Sequence, residues 1–367
     1  MIRVLNVMGL GLGGMETTVM NYYRHIDRSK IQYDFCFTER VYNENHYYEK
    51  EAICLGAYIY RSPLRRKSII KDSIAFVKEL KKHRDINIIQ IYSTRASLSY
   101  VLVLLLAKMA GIKVRIAYSA NDIRAYCGFT HKVCRILVRI LATKMVAGST
   151  EAGLSMFGKR AKDKVSLIPR ARNLEDFRYS PEKRRLKREE LKLNNQFVIM
   201  HVGRMVKEKN HAFILELFAQ ALKKNQDMIL LLAGDGELRS DLIDKATALS
   251  LGDKVRFLGQ RDDVPELLQA SDLFVLPSLH EGLPGVAIEA QTAGLPCLLA
   301  DTISKESRVT ELVEFLPIDK DVHIWTERIL AYRNFERRDT SEDVRKAGYD
   351  IKEAAKWLEG FYFNQMR

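Results

Sequence analysis

The chain begins Met1-Ile-Arg-Val-Leu-Asn-Val-Met-Gly-Leu-Gly-Leu-Gly-Gly-Met-Glu-Thr-Thr-Val-Met-Asn21. An apolar run at 2–8 leads into Gly9, Gly11 and Gly14, and a helix-like segment follows. A strand, a G-x-G-x-x-G turn and a helix, in this order, are typical of the first unit of a doubly wound α/β fold. The stretch therefore predicts that fold and leaves two hypotheses for the glycines: a dinucleotide site, or a joint that serves another ligand.

Strand-like and helix-like segments alternate through the whole chain. The predicted strands lie at 2–8, 31–37, 86–92, 114–118 and 165–168, and then at 197–202, 228–233, 255–258, 273–276 and 297–300. Such alternation predicts parallel sheets with helices on both faces. Because 367 residues suffice for two domains, we expect two doubly wound, Rossmann-like domains that face each other across a ligand-binding cleft.

Composition shifts along the chain suggest where these domains begin and end. We expect an N-terminal domain at 1–172, a linker at 173–195 and a C-terminal domain at 196–340. The linker stretch is rich in Arg, Lys and Glu and has no sustained apolar period. The tail, 341–367, carries apolar residues at helical spacing, which predicts a terminal helix that packs back on the first domain.

The net charge of +13 is concentrated in one half of the chain. Residues 1–172 hold 30 Lys and Arg against 13 Asp and Glu, whereas 173–367 hold 29 against 33. This asymmetry favours a contact of the first half with an anionic partner, such as a membrane surface, through basic clusters at 65–67 and 78–84. The alternative is solvated helix faces. No motif of the usual nucleic-acid-binding folds is present, so no nucleic acid is expected.

The cysteines and the longest apolar run indicate the cellular compartment of the protein. Five cysteines are scattered, and Cys127, His131 and Cys134 offer three ligands without a fourth, so no metal site is predicted. No signal-peptide pattern is present, and the charge-free run at 96–107 is too short to cross a bilayer. We therefore expect a cytoplasmic protein with reduced thiols, peripheral on the inner face of the plasma membrane through its basic half.

The second half carries a first chemical motif directly after a predicted strand. Residues 201–211 read His-Val-Gly-Arg-Met-Val-Lys-Glu-Lys-Asn-His. Gly203 permits a tight turn, Arg204 and Lys209 are cations at the carboxyl edge of the sheet, and Asn210 suits a helix N-cap. Two cations beside a helix N-terminus suit a diphosphate. The alternative is two surface cations in a loop.

A second motif, Leu276-Pro-Ser-Leu-His-Glu-Gly-Leu-Pro-Gly-Val-Ala-Ile-Glu289, follows another predicted strand. Its glycines and Pro284 mark a tight loop that opens a helix, whose first N–H groups can bind phosphate. Glu281 lies in the loop and Glu289 about one turn into the helix. A carboxylate can accept hydrogen bonds from vicinal hydroxyls of a ribose or hexose. A capped helix start explains Glu281 alone but not the whole set.

Together the motifs resemble one family along essentially the whole chain. They occur in the order seen in GT-B-fold retaining glycosyltransferases of family 4, nearest to the bacterial capsular and exopolysaccharide members: Gly13-Gly14-Met-Glu16, Gly203-Arg204…Lys209-Asn210, Ala233-Gly-Asp-Gly-Glu237 and Glu281-Gly-Leu-Pro-Gly…Glu289. The resemblance implies transfer of a sugar, with retention, from a nucleotide-diphosphate sugar such as a UDP-sugar. The implied acceptor is a lipid-diphosphate or glycan, and no bound metal or other cofactor is implied.

The resemblance also assigns roles to single residues. Arg204 and Lys209 match the cations that neutralise the donor diphosphate, and Glu281 matches the carboxylate near the transferred sugar; these three form the catalytic set. The implied donor-binding residues are Gly14, Gly203, Arg261, Leu283, Pro284, Gly285 and Glu289, with Glu289 on the ribose. The implied acceptor-side residues are Gly13, Glu16, Tyr118 and Asp122.

Two departures from the family pattern concern the acceptor side more than the donor. Relatives usually carry histidines where this chain has Tyr118 and Ala120. They also carry a Pro-Asn-Gly turn where it reads Pro169-Arg-Ala-Arg-Asn173. A catalytically degenerate GT-B protein that binds a nucleotide sugar or a partner transferase is therefore the alternative. An epimerase on the same fold would need acid and base groups around a hexose carbon, which the sequence does not assemble.

The dinucleotide hypothesis meets one objection within the opening stretch. Glu39 lies where the ribose-binding carboxylate of an NAD site is expected, so the motif passes that test. Glu16, however, would place a carboxylate at the helix start, where it repels a pyrophosphate. We therefore interpret the first glycine loop as one wall of the cleft.

Overall fold

The structure is a computed structural model that describes residues 1–11, 13–37, 46–62, 69–119, 128–318 and 322–366. The chain divides into two compact units. The first unit comprises Met1–Arg172 with Ile351–Arg367, and the second comprises Asn173–Asp350. Each unit is built on one sheet whose strand pairs are parallel within the described residues. The predicted α/β fold with two parallel-sheet domains is confirmed.

The first unit holds a seven-stranded sheet in the order β3-β2-β1-β4-β5-β6-β7. Its strands are Ile2–Val7 (β1), Ile31–Phe37 (β2), Ile59–Arg61 (β3), Ile86–Ser93 (β4), Val114–Ser119 (β5), Lys144–Ala147 (β6) and Val165–Leu167 (β7). The first helices are Gly14–His25 (α1), Glu49–Cys54 (α2), Ile69–Lys82 (α3), Leu98–Met109 (α4), Phe129–Leu141 (α5) and Thr150–Phe157 (α6). The sequence prediction missed β3 and β6, which have only three and four residues.

Helices cover both faces of this first sheet. Val4 and Ile88 pack into the core beneath α1, whereas their chain neighbours Leu5 and Ile89 pack into the core beneath α3 to α6. Successive strand residues point to opposite faces, so two helix layers bury both sides and the central strands read as unbroken apolar runs.

The second unit holds a six-stranded sheet in the order β10-β9-β8-β11-β12-β13. Its strands are Phe197–Val202 (β8), Met228–Ala233 (β9), Val255–Gly259 (β10), Leu273–Leu276 (β11), Cys297–Ala300 (β12) and Val313–Leu316 (β13). Its helices are Leu174–Phe177 (α7), Pro181–Glu190 (α8), His211–Lys224 (α9), Arg239–Ala248 (α10), Val264–Ala270 (α11), Gly285–Thr292 (α12), Val322–Ala331 (α13) and Ser341–Lys346 (α14). One continuous core holds the sheet and its helices together.

Residues 173–195, expected to form a linker, lie inside the second unit and carry α7 and α8. The helix α8 is attached to α11 and the sheet by charged side chains: Arg184 pairs with Asp272 at 2.6 Å, and Lys187 with Asp263 at 2.6 Å. Ion pairs, and not apolar side chains, attach α8 to the rest of the unit. For this reason the sequence of α8 shows no apolar period.

The terminal helix Ile351–Gln365 (α15) belongs to the first unit, as the tail pattern predicted. Its buried face packs on α1, and Tyr362 reaches the sheet. The Tyr362 hydroxyl donates to Gln90 Oε1 at 2.9 Å and lies 3.0 Å from the Tyr33 hydroxyl. The chain thus crosses to the second unit and returns to complete the first core.

The apolar run at 96–107 forms most of α4, and its inner side chains are buried in the first core. Among the helices of the described residues, none has both the length and the hydrophobicity that crossing a membrane requires.

Candidate functional site

The strand order of the second sheet reverses between the neighbouring strands β8 and β11. The chain leaves β8 toward β9 and β10 on one side, and later leaves β11 toward β12 and β13 on the other. In open parallel sheets such a reversal opens a crevice at the carboxyl ends of the strands, where ligands bind. The two motifs singled out in the sequence, 201–211 and 276–289, follow these two strands.

Lys209 and Glu281 meet at this crevice. The Lys209 Nζ lies 2.7 Å from both carboxylate oxygens of Glu281, and the Ser278 hydroxyl donates to Oε2 at 3.1 Å. Each charged side chain is about one-fifth exposed, at 20% and 21%. A lysine ammonium has three donors, so Lys209 can hold Glu281 and still donate to a phosphate oxygen.

The loops after β8 and β11 are also joined through their backbones. The Leu279 amide donates to the Glu208 carbonyl at 2.8 Å, and the Asn210 side chain donates to the Pro277 carbonyl at 3.3 Å. Asn210 is the N-cap of α9, as expected, but it is left-handed at φ 56° and its side chain makes no capping hydrogen bond. Its side chain therefore connects the two motifs and does not cap the helix.

Gly203 is required for close packing, which differs from the tight turn expected of it. It is absent from the positive-φ glycines of the described residues. A Cβ at this position would lie 3.2 Å from His201 Nε2 and 3.3 Å from Lys209 Cδ. On its other side, a Cβ at Gly234 would overlap the Gly203 carbonyl oxygen, and Gly234 has φ +135°. The glycine of the β9 loop, unassigned in the sequence analysis, thus lets two loops touch.

Arg204, the second predicted cation, is exposed beside this packed loop. It forms no ion pair within the part of the chain that the structure describes. The guanidinium is therefore positioned to bind an incoming anion without first breaking an internal contact.

Two buried histidines lie beneath Lys209, and the sequence analysis did not pair them. The rings of His201 and His211 are 4.5 Å apart in an edge-to-face arrangement, and His201 Nδ1 lies 2.8 Å from the Val275 carbonyl, to which it donates. Burial lowers the pKa of His201 well below its usual value. Burial, followed by the charge of Lys209, lowers the pKa of His211 to about 4. Both rings are therefore neutral near neutral pH.

The helix α12 starts beside Glu281. Pro284 is its N-cap and Gly285 its first residue, while Leu283 is buried under the loop. The first N–H groups of a helix lack acceptors inside the helix and attract anions. Glu289 is the fifth residue of α12 and is partly exposed. The predicted phosphate-binding loop is thus built as a helix start at the crevice.

Arg261 is engaged in a structural network. Its guanidinium donates to both Asp263 oxygens at 2.6 and 2.5 Å, and Lys187 donates to the same carboxylate at 2.6 Å. The hydrogen bonds from Arg261 chiefly lower the pKa of Asp263, to about 2. The network holds α8 to the loop after β10. A contact of Arg261 with the nucleotide base stays a prediction.

In the first unit, Gly13 is the N-cap of α1 and Gly14 its first residue. The Glu16 carboxylate folds back over Gly13 and occupies the space that a Cβ there would need. A Cβ at Gly14 would lie 3.7 Å from the guanidinium of Arg170, which is 8% exposed. A carboxylate therefore stands at the N-terminus of α1, which disfavours a pyrophosphate and the dinucleotide hypothesis.

Tyr118 differs from the expectation of an accessible acceptor-side residue. It is 2% exposed in the first core, and its hydroxyl has no hydrogen-bond partner among the described residues. Burial raises its pKa to about 12, and the charge of Arg170 opposes that rise. In this arrangement an acceptor cannot touch the hydroxyl. Asp122, the other predicted residue here, lies outside the described residues, as do Glu39, Cys127 and the basic cluster 65–67.

The cysteines that the structure describes are unpaired thiols: Cys36, Cys54, Cys134 and Cys297. A search of the described ranges finds no group of three or more His, Cys, Asp or Glu side chains that could hold a metal ion.

Comparison with known proteins places these features in a family. Residues 182–340 match the family model described as glycosyl transferases group 1. The chain is 33% identical to the glycosyltransferase EpsF of Bacillus subtilis over 96% of this chain and 94% of that protein. It is 32% identical to the UDP-Gal:alpha-D-GlcNAc-diphosphoundecaprenol alpha-1,3-galactosyltransferase of Escherichia coli, over 67% of this chain and 66% of that one.

A solved structure extends the likeness to the fold of both units. Anabaena HepE in complex with UDP-glucose matches with a TM-score of 0.80 at 15% identity, over 99% of this chain and 100% of that one. The near full-length similarity to EpsF, the family match over the second unit and the shared GT-B fold agree. The chain therefore belongs to the group 1 glycosyltransferases.

Proposed function

We propose that this glycosyltransferase moves a sugar from a nucleotide-diphosphate sugar, with a UDP-sugar as the leading donor, to a lipid-diphosphate or glycan acceptor. The product would enter a bacterial surface polysaccharide, and the anomeric configuration would be retained. The observation that carries the proposal is the Lys209–Glu281 pair at the β8/β11 reversal, with the exposed Arg204 beside it. The E. coli relative is named for a UDP-Gal donor and a diphosphoundecaprenol-linked acceptor, which supports both classes.

The cations supply the chemistry that the leaving group needs. As the sugar departs, negative charge grows on the diphosphate, and preorganised positive groups that face it lower the barrier. Arg204 and Lys209 come from the loop after β8. The N–H groups at the start of α12, near Leu283, Pro284 and Gly285, can add hydrogen bonds without a metal ion.

The carboxylates orient the donor. Glu281, held by Lys209 and Ser278, can accept a hydrogen bond from a hydroxyl of the transferred sugar. Glu289, one turn along α12, would accept from the ribose, and Arg261 would lie near the base. The resemblance to the family implies that the acceptor attacks from the face that the diphosphate leaves. Such front-face attack retains configuration.

The residues proposed for the acceptor side belong to the first unit. Gly13, Glu16, Tyr118 and Asp122 are the proposed acceptor-side residues, and the basic excess of the first half suits an anionic, lipid-linked acceptor at the inner face of a membrane. The buried Tyr118 would act through the residues that surround it.

The test is a thermal-shift series with UDP-, GDP- and ADP-sugars. The cognate donor at ~100 times its Kd should stabilise the protein by about 2.7 kcal/mol. Incubation of that donor with a polyprenyl-diphosphate-linked sugar, followed by NMR of the new anomeric centre, then reads transfer and retention. If none of the nucleotide sugars stabilises the protein, the donor site is misassigned. An inverted anomer contradicts retention.

A catalytically degenerate protein is the second candidate, and the buried hydroxyl of Tyr118, which has no hydrogen-bond partner among the described residues, favours it. The discriminating experiment compares wild type with Tyr118→His. Donor binding without transfer or donor hydrolysis in both proteins supports a binding function. Transfer by the wild type excludes it.

A further inference from the structure

The helix α5 carries apolar residues on two separate sides. Cys134, Val138 and Leu141 are buried in the core of the first unit. A helix on the surface of a globular protein usually needs only this one apolar stripe, with polar residues on the opposite face. The opposite face of α5 is not polar, which calls for an explanation.

The outward face of α5 forms a second apolar stripe. Phe129 is 82% exposed and Ile140 67%, and Val133, Ile136 and Leu137 are also exposed. Their spacing places them within an arc of roughly 100° along the whole helix. Single exposed apolar residues are ordinary, but a continuous stripe of this length marks an interaction surface.

The neighbouring helix α4 extends this stripe sideways. It packs against α5, and its outward residues Leu98, Leu105 and Met109 are exposed. With Ile70 and Ile74 on α3, these helices hold ten of the 23 strongly exposed large apolar side chains of the described residues. Eight of these ten lie on α4 and α5. We call the outward faces of these two helices the α4–α5 surface.

The charges around the α4–α5 surface are predominantly basic. Neither α4 nor α5 contains an Asp or Glu. Lys108 and Lys132 are exposed on the two helices, and the short 3-10 helix after α6, Lys159–Lys164, adds three exposed lysines, one arginine and one acid, Asp163. An apolar stripe with Lys and Arg beside it is the pattern of helices that lie in the interface of an anionic membrane.

We infer that the α4–α5 surface docks on an anionic lipid bilayer, with the outward stripe of α5 inserted below the headgroups and the lysines on the phosphates. A second copy of the chain fits this surface poorly, because a symmetric contact would bring cation against cation without an acid on either helix. The basic cluster that the sequence offered for this purpose within the described residues, 78–84, lies at the end of α3, beside this surface and not on it. The inference rests on the proposed function in one respect: membrane docking would bring the enzyme to a lipid-linked acceptor.

Membrane docking is tested by cosedimentation of the full chain with phosphatidylcholine vesicles, with and without phosphatidylglycerol, and without any sugar donor. Wild type should bind the anionic vesicles and be only partly released by high salt, since salt screens the lysines but not the apolar stripe. The double variant Phe129→Ser/Ile140→Ser should bind about tenfold more weakly. Lys132→Glu should weaken binding mainly at low salt.

The matched control is Leu186→Ser/Ile243→Ser, which removes two exposed apolar side chains from the second unit. It should bind vesicles like wild type. Because Phe129 and Ile140 point outward, their variants should keep the melting temperature and the nucleotide-induced thermal shift, which separates this test from that of the donor site. A Phe129→Trp variant adds a direct probe, since its emission should shift to the blue on vesicles.

Three results would overturn the inference. One is wild type that stays in the supernatant with anionic vesicles. Another is an α5 double variant that binds as well as wild type. The third is a wild-type dimer that ignores vesicles and dissociates in the double variant, which would assign the surface to a second copy. Loss of sugar transfer with intact vesicle binding would count against the proposed function alone.

Discussion

Each unit contains a strand, a glycine loop and a helix in succession, β1 to α1 in the first unit and β8 to α9 in the second. We call these the first and the second joint, and the charged side chains beside them have opposite sign. In each sheet the central first strand, β1 or β8, is flanked by the strand that follows it and by the strand at which the order reverses. Both β1 and β8 lead through a loop that contains glycine into a helix. At the first joint the Glu16 carboxylate covers the start of α1. At the second, Lys209 and Arg204 stand before α9, and Lys209 holds Glu281.

This difference shows that a glycine loop provides backbone access but does not select the ligand. The helix start attracts anions at both joints. The side chains beside it decide whether a diphosphate is admitted. The first joint already carries a negative group, whereas the second carries cations and has the anion-binding start of α12 beside it. This difference supports our proposal that the donor binds at the second joint.

The largest expected effect is on catalysis at the second joint. Lys209→Ala should lower kcat/KM for sugar transfer by about 10² to 10³, the range for losing one group that stabilises developing negative charge. Arg204→Ala should lower kcat/KM by a similar factor, about 10² to 10³, with the fold intact. Lys223→Ala, at an exposed lysine near the end of α9, is the control and should behave as wild type. Full activity in Lys209→Ala would move the diphosphate away from this joint.

The next largest effect is on the free energy of unfolding. It compares Gly234, which packs against Gly203 of the second joint, with Gly13 of the first joint. Gly234→Ala should lower the free energy of unfolding by about 3 kcal/mol, because its Cβ would overlap the Gly203 backbone oxygen at a left-handed φ. Gly13→Ala should cost about 1 kcal/mol or less, since its Cβ meets only the end of the flexible Glu16 side chain. Denaturant midpoints measure both. Equal shifts would contradict the close approach of the two loops.

A pH effect on stability should appear at the second joint. The pKa values of His201 and His211 are lowered in the folded state, so the unfolded chain binds more protons below about pH 6.5 and stability falls as the pH falls. A pKa of about 4 for His211 corresponds to a loss of roughly 3 kcal/mol by that pH. Melting temperatures from neutral pH downward measure it. His211→Gln should flatten the profile, and an unchanged slope in this variant would assign the loss to other groups.

The smallest effect belongs to the first joint. Glu16→Gln removes a carboxylate from a helix N-terminus and should cost about 0.3 to 1 kcal/mol of stability. The affinity for the nucleotide sugar, read by calorimetry, should not change. A tighter or weaker donor complex would show that the first joint contacts the diphosphate after all.

The fold could be predicted from the sequence because buried parallel strands are continuous apolar runs. The runs at 228–233 and 297–300 coincide with β9 and β12. The apolar pattern did not reveal elements that are very short or that are held in place by ion pairs. Three-residue β3 is too short to show a period. Helix α8 is held by ion pairs of Arg184 and Lys187, so its residues read as a charged linker.

At the site, the residue types were visible, but their partners were not. The spacing of Lys209, Asn210 and Glu281 predicted two loops at one sheet edge, and the structure joins these loops. The bond between Lys209 and Glu281, the pairing of His201 with His211 and the commitment of Arg261 to Asp263 depend on which loops touch. Residues far apart in the chain share no periodicity that would announce such contacts.

The sequence by itself determined the alternation of elements, the two sheets, the glycine joints and the charge at each joint, since these follow from local residue patterns. Only the tertiary structure decided that Glu16 folds over Gly13, that Tyr118 is buried in a core and that α5 shows a second apolar face to solvent. Those facts depend on what packs against each side chain. An apolar residue reads the same in a sequence whether a core or a membrane is to cover it.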